Sequence, residues 1–387
     1  MRFPSRASAG IALLAAATAA PAVIPAQASA SLHPSPVVGH VYVDDNTPGT
    51  NTIGAFDRHA DGSLTSLAGA PFAAGGAGTG SGLASQGAIQ ISSDGRFVIA
   101  VDAGSNQISV LRIADGGALR LVPGGVVSSN GIDPVSVTAH RNLVYVANAG
   151  DGGSNYTGFR LTHDGRLAPI TGSTVSLPDG SQPGDVLFNG DGTRLVGTRI
   201  GSSEIDSFTV GSDGRLTAAP GSPFPGQGLG PFGSEFRPTN PNQLFVSNAH
   251  NAGPDSGTVS AFHDSANGVL TSIGSSPFPD QQTAPCWVEI SHDGRFLFTT
   301  NTASGSVSSY SIERDGSLTL RGSTALRGSG LAPVDERLSP DGRWLFVVES
   351  KGDAVATLAV HGSSLTESTT SPTPLPAGAA PAGIAVN

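Results

Sequence analysis

The sequence predicts an all-β fold, a seven-bladed β-propeller of four-stranded antiparallel blades. Three observations support this prediction: a turn that occurs seven times, strand-like runs between the turns, and two chain ends that complement each other. The 53 Gly and 28 Pro residues favour turns, and only 13% of the residues are charged. This composition is typical of a turn-rich β protein, since apolar residues still recur at strand spacing.

The recurring turn has the pattern x-Asp-Gly-x(1–2)-Leu, with Asn or His replacing Asp in two copies. Successive copies lie 46 to 54 residues apart, a period that indicates one propeller blade per repeat. Gly supplies the positive φ that tight hairpins need, and Asp hydrogen-bonds within its own turn. The copies are Asp61-Gly62, Asp115-Gly116, Asp164-Gly165, Asp213-Gly214, Asn267-Gly268, Asp315-Gly316 and His361-Gly362.

Residues 284–322 show the repeat most clearly. Four runs in this stretch alternate apolar and polar residues, as strands with one buried face do. Asp293-Gly294 and Asp315-Gly316 are turns between them. The predicted strands are Trp287–Ser291, Arg295–Thr299, Ser306–Ile312 and Ser317–Leu320.

The two ends of the repeat array predict how the ring closes. The first repeat begins at Val41–Val43, which already has the pattern of a second strand. The last residues, Pro381–Asn387, have the pattern of a first strand with nothing after it. We therefore predict that the C-terminal segment supplies the innermost strand of the first blade and removes the free edges there.

The N-terminus predicts a secretory signal peptide over residues 1–30, followed by one propeller domain over residues 31–387. Arg2 and Arg6 precede a short apolar run, Ile11–Ala20, and Ala28-Ser29-Ala30 fits a cleavage site. The run is short for a membrane span, although a retained anchor is the alternative. We expect a secreted, extracellular protein cleaved near Ala30, with no membrane span in the mature chain.

The net charge limits the classes of binding partner, and the cysteine count limits the disulfide bonds. The full chain has a formal net charge of −10, and losing the signal segment removes two arginines and no acidic residue. This argues against nucleic acid and anionic membranes as partners, and we expect a monomer. Cys286 is the single cysteine, so no internal disulfide forms. It is interpreted as a buried inert thiol, or alternatively as a nucleophile near His292.

Aligning the inner strands on their leading proline predicts which side chains face the central channel. The third and fifth residues after the proline are mostly apolar and should pack between blades. The second and fourth are more polar and should line the channel. Trp287 is among them, and Gln90 takes the equivalent place in blade 2. The predicted ionisable channel residues are Asp185, Glu235, Glu289, Asp335 and Arg337.

Two rims follow from the same alignment. First strands begin at one rim, here called the loop-rich rim, which also carries the long irregular connections such as 70–87 and 221–231. The Asp-Gly turns lie at the other, here called the turn rim. Because long loops on a rigid scaffold usually carry binding sites, we expect binding at the loop-rich rim, where His250 is the best candidate histidine.

The acidic residues have two interpretations. Crowded carboxylates raise each other's pKa and could act as bases or bind cations, or each could be solvated or paired with backbone amides. The Asp/Asn-rich loops 44–46, 151–155 and 248–255 could hold Ca²⁺, or could simply be polar turns. None of them has a calcium-loop signature, and no metal or cofactor is predicted.

The repeats resemble the lactonase-family propellers, which include 6-phosphogluconolactonase-like, carboxymuconate cyclase-like and YVTN-type proteins. Three segments carry the resemblance: 290–298 together with Asn301, 338–346, and 144–150. It covers nearly all of the predicted mature chain and implies a seven-bladed propeller with lactonase activity. Family enzymes resemble one another in placing Arg with His or Asn after the inner-strand proline; here Pro285 is followed by Cys286 and Trp287.

Two functions are therefore predicted. The first is a secreted lactonase-like hydrolase acting on a neutral or cationic lactone or related cyclic ester, since an acidic channel repels anions. Glu235 or Glu289 would be the base, and Arg337 or Arg199 would stabilise the oxyanion. The alternative is a non-catalytic propeller that binds an extracellular protein or glycan at its loop-rich rim.

Overall fold

The computed structural model describes residues 35–328 and 330–387 and confirms the seven-bladed β-propeller. The predicted signal peptide and its cleavage site near Ala30 lie outside these residues. The inner strands of the seven sheets pack against one another in one closed cycle, so they surround a common axis. Among the described residues, no helix has the length and apolar character needed to cross a bilayer.

Each blade is an antiparallel sheet with its strands in chain order, except where the ring closes. Blade 1 contains β1 (Val37–Asp44), β2 (Thr52–His59), β3 (Leu64–Ser66) and β4 (Phe72–Ala73). Blade 2 contains β5 (Ile89–Ile91), β6 (Phe97–Asp102), β7 (Gln107–Ile113) and β8 (Leu119–Ser128). Blade 3 contains β9 (Pro134–His140), β10 (Leu143–Asn148), β11 (Asn155–Leu161), β12 (Leu167–Pro169) and β13 (Val175–Ser176).

Blades 4 to 7 follow the same plan. Blade 4 contains β14 (Pro183–Phe188), β15 (Arg194–Arg199), β16 (Glu204–Val210), β17 (Leu216–Ala218) and β18 (Phe224–Pro225). Blade 5 contains β19 (Pro231–Arg237), β20 (Asn240–Asn248), β21 (Thr258–Asp264), β22 (Leu270–Ser272) and β23 (Phe278–Pro279). Blade 6 contains β24 (Pro285–Ile290), β25 (Phe296–Asn301), β26 (Ser306–Ile312) and β27 (Leu318–Ala325).

Blade 7 contains β28 (Pro333–Leu338), β29 (Trp344–Glu349), β30 (Ala354–His361), β31 (Ser364–Glu367) and β32 (Thr373–Pro374). The last strand, β33 (Gly383–Val386), belongs to blade 1. Short 3₁₀ turns occur at Ala103–Ser105 and His250–Ala252. The four strands predicted in blade 6 all exist, and the third has the predicted limits.

The predicted ring closure is confirmed. β33 pairs with β1 in antiparallel register, with Ile384 opposite Val43. The terminal carbonyl of Asn387 accepts hydrogen bonds from Nε (3.0 Å) and Nη2 (2.9 Å) of Arg58. Its side-chain Oδ1 accepts another from the amide of His40 at 2.7 Å. These contacts join the first and last segments of the described chain within one sheet.

The Asp-Gly turns hold the hairpins of the turn rim through the same local contacts. In blade 6, Asp293 Oδ1 accepts from Ser291 Oγ at 2.7 Å, and Gly294 adopts a φ of 67°. In blade 7, Ser339 Oγ donates to Asp341 Oδ1 at 2.6 Å. Because a short side-chain acceptor and a left-handed glycine satisfy each tight turn, this rim has the short, regular connections that the sequence predicts.

The core lies between the blades, as the inner-strand alignment predicts. Val186, Val288 and Ile384 occupy the third position after the proline and are almost fully buried. Two polar residues take the same position and are equally buried, Ser234 of blade 5 and Glu336 of blade 7. Because the inner strands pack tightly on these side chains, the second and fourth positions are directed to the channel.

Candidate functional site

A cluster of ionisable side chains lies in the channel around Arg337 of β28. Its guanidinium Nη1 lies 3.0 Å from Glu289 Oε2 and 4.0 Å from Glu235 Oε2, and its Nη2 lies 3.9 Å from Asp335 Oδ1. These four residues come from the inner strands of blades 5, 6 and 7. The structure therefore brings together the predicted base candidates and one of the two predicted oxyanion-stabilising arginines.

Backbone amides hold two of the carboxylates in place. Glu289 Oε1 accepts from the amide of Leu338 at 3.0 Å. Asp335 accepts from the amides of Glu336 at 3.0 Å and Ile384 at 3.2 Å. No hydrogen bond within the described chain reaches the carboxylate of Glu235, whose closest charged contact is Arg337. Glu235 is thus the member of the cluster free to bind a proton from a reactant.

Asp185 of blade 4 forms the other side of the channel. Its Oδ2 accepts from the amide (3.0 Å) and hydroxyl (2.6 Å) of Ser234, and its Oδ1 accepts from Ser136 Oγ at 3.3 Å. These bonds link the inner strands of blades 3, 4 and 5. Asp185 is almost fully buried, so we regard it as a structural carboxylate that adds negative charge to the site.

Burial controls the protonation of this cluster. Desolvation raises the pKa of Glu235 to about 8, and the neighbouring Glu289 charge adds to the effect. Desolvation also raises the pKa of Asp185 to about 7 and that of Asp335 to about 6. Burial disfavours the charged form of Arg337, but its acidic neighbours, Glu289 first, raise its pKa overall. Arg337 therefore stays cationic at all relevant pH values.

These shifts predict that the protein loses stability as the pH rises. A carboxyl group with a higher pKa in the folded state binds its proton more tightly there, so its contribution is complete below the unfolded value of about 4. For Asp185 it is lost as the pH rises to about 7. We expect Asp185 to lower the free energy of unfolding by about 2 kcal/mol between pH 5 and pH 8.

Urea unfolding of wild type and Asp185→Asn at both pH values measures this contribution. Asp185→Asn should make the free energy of unfolding less dependent on pH, since Asn does not titrate. The exposed-site control Asp213→Asn should leave that pH dependence as it is in wild type. A wild-type protein that gains stability between pH 5 and pH 8 would contradict the prediction.

A short segment before β5, residues 83–87, crosses the channel at the loop-rich rim; we call it the plug segment. Gln86 belongs to this segment and is 2% exposed. The indole Nε1 of Trp287 donates to the carbonyl of Ser85 at 2.8 Å. The segment bonds to residues of blades 3 to 7, namely Val135, Gly184, Ser234, Val288 and Asp335.

The plug segment separates two compartments. Glu235 and Arg337 lie at the fourth position of their strands, nearer the turn rim, and their side chains are 22% and 20% exposed. Because the plug segment closes the other end, we infer that solvent reaches them from the turn-rim side. The sequence-based expectation of binding at the loop-rich rim therefore does not describe the ionisable cluster.

The second compartment is an apolar pocket of about 250 Å³ at the loop-rich rim. Phe232 and Trp287 form one wall, with their ring centroids 5.0 Å apart in an edge-on arrangement. Leu83 of the plug segment, Val334 and Pro381 contribute further apolar surface. Trp287 thus lies near the channel, as predicted, but it belongs to this pocket.

Cys286 also lines the apolar pocket. It is buried, and burial raises the pKa of its thiol to about 12. Its Sγ lies 3.2 Å from the carbonyl of Ala284. His292, the histidine near it in sequence, lies in the hairpin turn at the opposite rim. This agrees with the interpretation of Cys286 as an inert thiol and leaves the nucleophile alternative without a base.

Two predicted site residues lie outside the ionisable cluster. Arg199 ends the second strand of blade 4 and is engaged by Asp206, with Nε 2.6 Å from Oδ2, and by Glu204, with Nη1 3.2 Å from Oε2. It points towards the third strand and not into the channel, which corrects its predicted role. The half-buried His250 bonds to Thr258 Oγ1 at 2.9 Å, and burial lowers its pKa.

Sequence reasoning missed two polar residues. Glu336 is buried with no hydrogen-bond partner for either carboxylate oxygen in the described part of the chain, and desolvation raises its pKa well above the ordinary value. A carboxylate at the third inner-strand position, where blades 1, 3, 4 and 6 have Val or Ile, was the available signal. Gln86 gave no signal, because it lies in an irregular loop outside the repeat.

Within residues 35–328 and 330–387, no group of three or more His, Cys, Asp or Glu side chains is arranged to hold a metal ion. In the Asp/Asn-rich loop at 44–46, Asp44 Oδ1 accepts from the amide of Asn46 at 3.0 Å and from Asn51 Nδ2 at 2.9 Å, as in a polar turn. Asp44 Oδ2 and Asp45 Oδ1 are buried with no hydrogen-bond partner among the described residues.

The fold and this site define a seven-bladed β-propeller with a carboxylate–arginine cluster in its central channel. The family described as "Lactonase, 7-bladed beta-propeller" matches residues 49–188 and 235–386. The chain therefore belongs to the lactonase family of seven-bladed β-propellers, which confirms the resemblance carried by its repeats. No curated protein matches the chain.

Solved structures share the fold at low sequence identity. A protein of Bacteroides uniformis, provisionally named a 6-phosphogluconolactonase, aligns with a TM-score of 0.71 at 20% identity, covering 91% of this chain and 100% of its own. The periplasmic gluconolactonase PpgL of Pseudomonas aeruginosa aligns with a TM-score of 0.70 at 17% identity, covering 90% and 98%. A Lactobacillus plantarum protein aligns with a TM-score of 0.71 at 20% identity, covering 90% and 99%.

Proposed function

We propose that this protein is a secreted hydrolase of uncharged or cationic lactones, with its reaction centre at Glu235 and Arg337. The observation that carries the proposal is the 4.0 Å separation between Glu235 Oε2 and Arg337 Nη1 in a channel of a lactonase-family propeller. Lactone hydrolysis needs a base to activate water and a cation beside the developing oxyanion, and these two side chains supply both.

The proposed reaction begins with a water molecule beside Glu235. The carboxylate takes a proton from the water as its oxygen attacks the lactone carbonyl carbon, and Arg337 stabilises the tetrahedral oxyanion. The ring C–O bond then breaks, and the leaving alkoxide takes the proton from Glu235. The product is the open hydroxy acid, and Glu235 is regenerated as a carboxylate. Glu289 holds Arg337 in place through its 3.0 Å ion pair.

Charge supports the choice of substrate class. The cluster sets the acidic groups Asp185, Glu235, Glu289 and Asp335 against one cation, Arg337, so an anionic phosphate ester would be repelled. Gluconolactone, an uncharged sugar lactone, gives its name to the P. aeruginosa enzyme, which is periplasmic. A fold relative outside the cytoplasm is consistent with secretion, which for this chain rests on the predicted signal peptide over residues 1–30. We keep monomeric assembly as a prediction.

Replacing Glu235 by Gln should abolish most of the hydrolysis. Glucono-δ-lactone and δ-valerolactone are suitable probes, with the spontaneous rate subtracted. We expect kcat to fall about 100- to 1000-fold, since a positioned general base contributes roughly that much. In the wild type, kcat/KM should rise about tenfold per pH unit and level off near pH 8, where the pKa of Glu235 lies.

Glu313→Gln, at an exposed glutamate of blade 6, is the matched control and should retain full activity. Glu289→Gln should lower kcat less than Glu235→Gln does, because it loosens Arg337 and leaves the base in place. Equal activity of wild type and Glu235→Gln, or no hydrolysis of any uncharged lactone by wild type, would overturn the assignment.

One observation favours the alternative function, ligand binding without catalysis. The apolar pocket beside Phe232 and Trp287 lies at the loop-rich rim, where a non-catalytic propeller would bind an extracellular protein or glycan. Under this alternative the wild type would hydrolyse no lactone, and a ligand would change the fluorescence of Trp287. A Trp287→Phe variant, which keeps only the other tryptophan, Trp344, shows whether the fluorescence change comes from Trp287.

A further inference from the structure

We propose that Gln86 is a positioning residue that sets the geometry of Glu235 and Glu289 from across the channel. The inference rests on the proposed function and extends it to a residue outside the repeat. Gln86 belongs to the plug segment before blade 2, whereas the two glutamates lie on blades 5 and 6. Its carboxamide is the direct link between those two inner strands on the channel side.

The carboxamide bonds the residue immediately before each glutamate. Its Nε2 donates to the carbonyl of Ser234 at 3.0 Å, and its Oε1 accepts from the amide of Val288 at 3.0 Å. Since Ser234 precedes Glu235 and Val288 precedes Glu289, the amide holds the backbone from which both side chains project. Rotation or loss of Gln86 would release both strands at once.

Gly233 shows that the contact is built into the sheet. A Cβ at this position would lie 2.0 Å from Oε1 of Gln86 and 2.7 Å from the carbonyl of Cys286. The corresponding second position carries Asp185, Trp287 and Asp335 in blades 4, 6 and 7. Blade 5 therefore lacks a side chain at the place where the Gln86 amide inserts.

The next residue extends the link to the other end of the cluster. The amide of Gly87 lies 3.4 Å from Asp335 Oδ2, and its carbonyl accepts from the amide of Val137 at 2.8 Å. Gly87 has a φ of 77°, which favours glycine and turns the chain from the plug segment into blade 2. Two consecutive residues thus contact the strands that carry Glu235, Glu289 and Arg337.

Two substitutions at Gln86 test the proposal with opposite expected results. Gln86→Met keeps a similar volume and removes both bonds. Without them the strands that carry Glu235 and Glu289 should separate and admit water, so the pKa of Glu235 should fall towards its ordinary value. Gln86→Glu adds a fifth carboxylate, which should raise the pKa of Glu235. We expect Gln86→Met to lower kcat about 10- to 100-fold with little change in KM, because misplaced groups lose rate.

The pH–rate profile measures both shifts, with Gln107→Met as the matched control on the partly exposed start of β7. If Gln86→Met does not fold, Gln86→Glu alone tests the proposal. At pH 5 its protonated carboxyl can still donate to Ser234 and accept from Val288, so this variant folds, and the pKa of Glu235 in it should lie above that of wild type. The positioning role is supported if the pH at which the rate levels off moves down in Gln86→Met and up in Gln86→Glu. Profiles that coincide with those of wild type and Gln107→Met would overturn it.

A direct titration separates this inference from the proposed function. The carboxyl group of Glu235 can be followed by NMR in ¹³C-labelled protein without any substrate. If wild type hydrolyses no lactone, the catalytic proposal fails, yet a Glu235 pKa that falls in Gln86→Met and rises in Gln86→Glu still supports the positioning role. Unchanged Glu235 titration in both variants would overturn that role even in an active enzyme.

Discussion

Deletion of residues 381–387 is expected to abolish cooperative unfolding of the propeller. The deletion removes β33, the inner strand of blade 1, and leaves β1 as an open edge. It also removes Ile384 from the cluster it forms with Val41, Val43 and Phe346. Loss of one such buried side chain costs roughly 2–5 kcal/mol. Together with the lost strand pairing, this approaches the total of about 5–15 kcal/mol that stabilises a typical protein.

Calorimetry and urea unfolding measure the effect. Deletion of Asn387 alone is the matched control, because it removes the bonds to Arg58 and His40 and keeps the strand. The Asn387 deletion should lower the unfolding midpoint and still give a single unfolding transition. A synthetic peptide of residues 379–387 added in trans should restore the truncated chain in part. Unchanged, single-transition unfolding of the truncated chain would refute closure by β33.

Replacement of Arg337 by Met should produce the second large effect, a loss of stability that depends strongly on pH. Arg337 is the cation of the cluster and contacts Glu289, Glu235 and Asp335. Removing one partner of a buried ion pair typically costs about 3–5 kcal/mol, since the other charge is left uncompensated. We expect that loss at pH 8 and a much smaller one at pH 5, where protonation of Glu235 and Asp335 reduces the repulsion.

A double-mutant cycle isolates the ion pair. Arg337→Met combined with Glu289→Gln should recover part of the stability at pH 8, because it removes the charge that Arg337 neutralised. Arg337→Lys should retain most of the stability by keeping a cation at the site. Arg194→Met is the matched control for losing a buried ion pair elsewhere, because it breaks the pair with Asp264 outside the channel. An equal loss at both pH values for Arg337→Met would argue that packing, not charge, explains the effect.

Much of the site could be predicted because it lies within the repeat. A strand directs alternate residues to opposite faces, so counting from Pro285 or Pro333 places Glu289, Asp335 and Arg337 in the channel. The same counting places Val288 between blades, and the structure agrees. Arg199 lies at the end of a second strand, where the count from the inner proline does not apply. Its ion pair with Asp206 depends on the adjacent third strand.

The repeat pattern established the number of blades, the closing strand and the order of residues along each inner strand, because turn chemistry and strand alternation are local properties. Tertiary structure decided which side chains meet across the axis and from which rim they are reached. Gln86 is 148 residues from Ser234 and 202 from Val288, yet it bonds to both. Contacts of that kind arise from closing the ring around an irregular segment, and neither periodicity nor spacing encodes them.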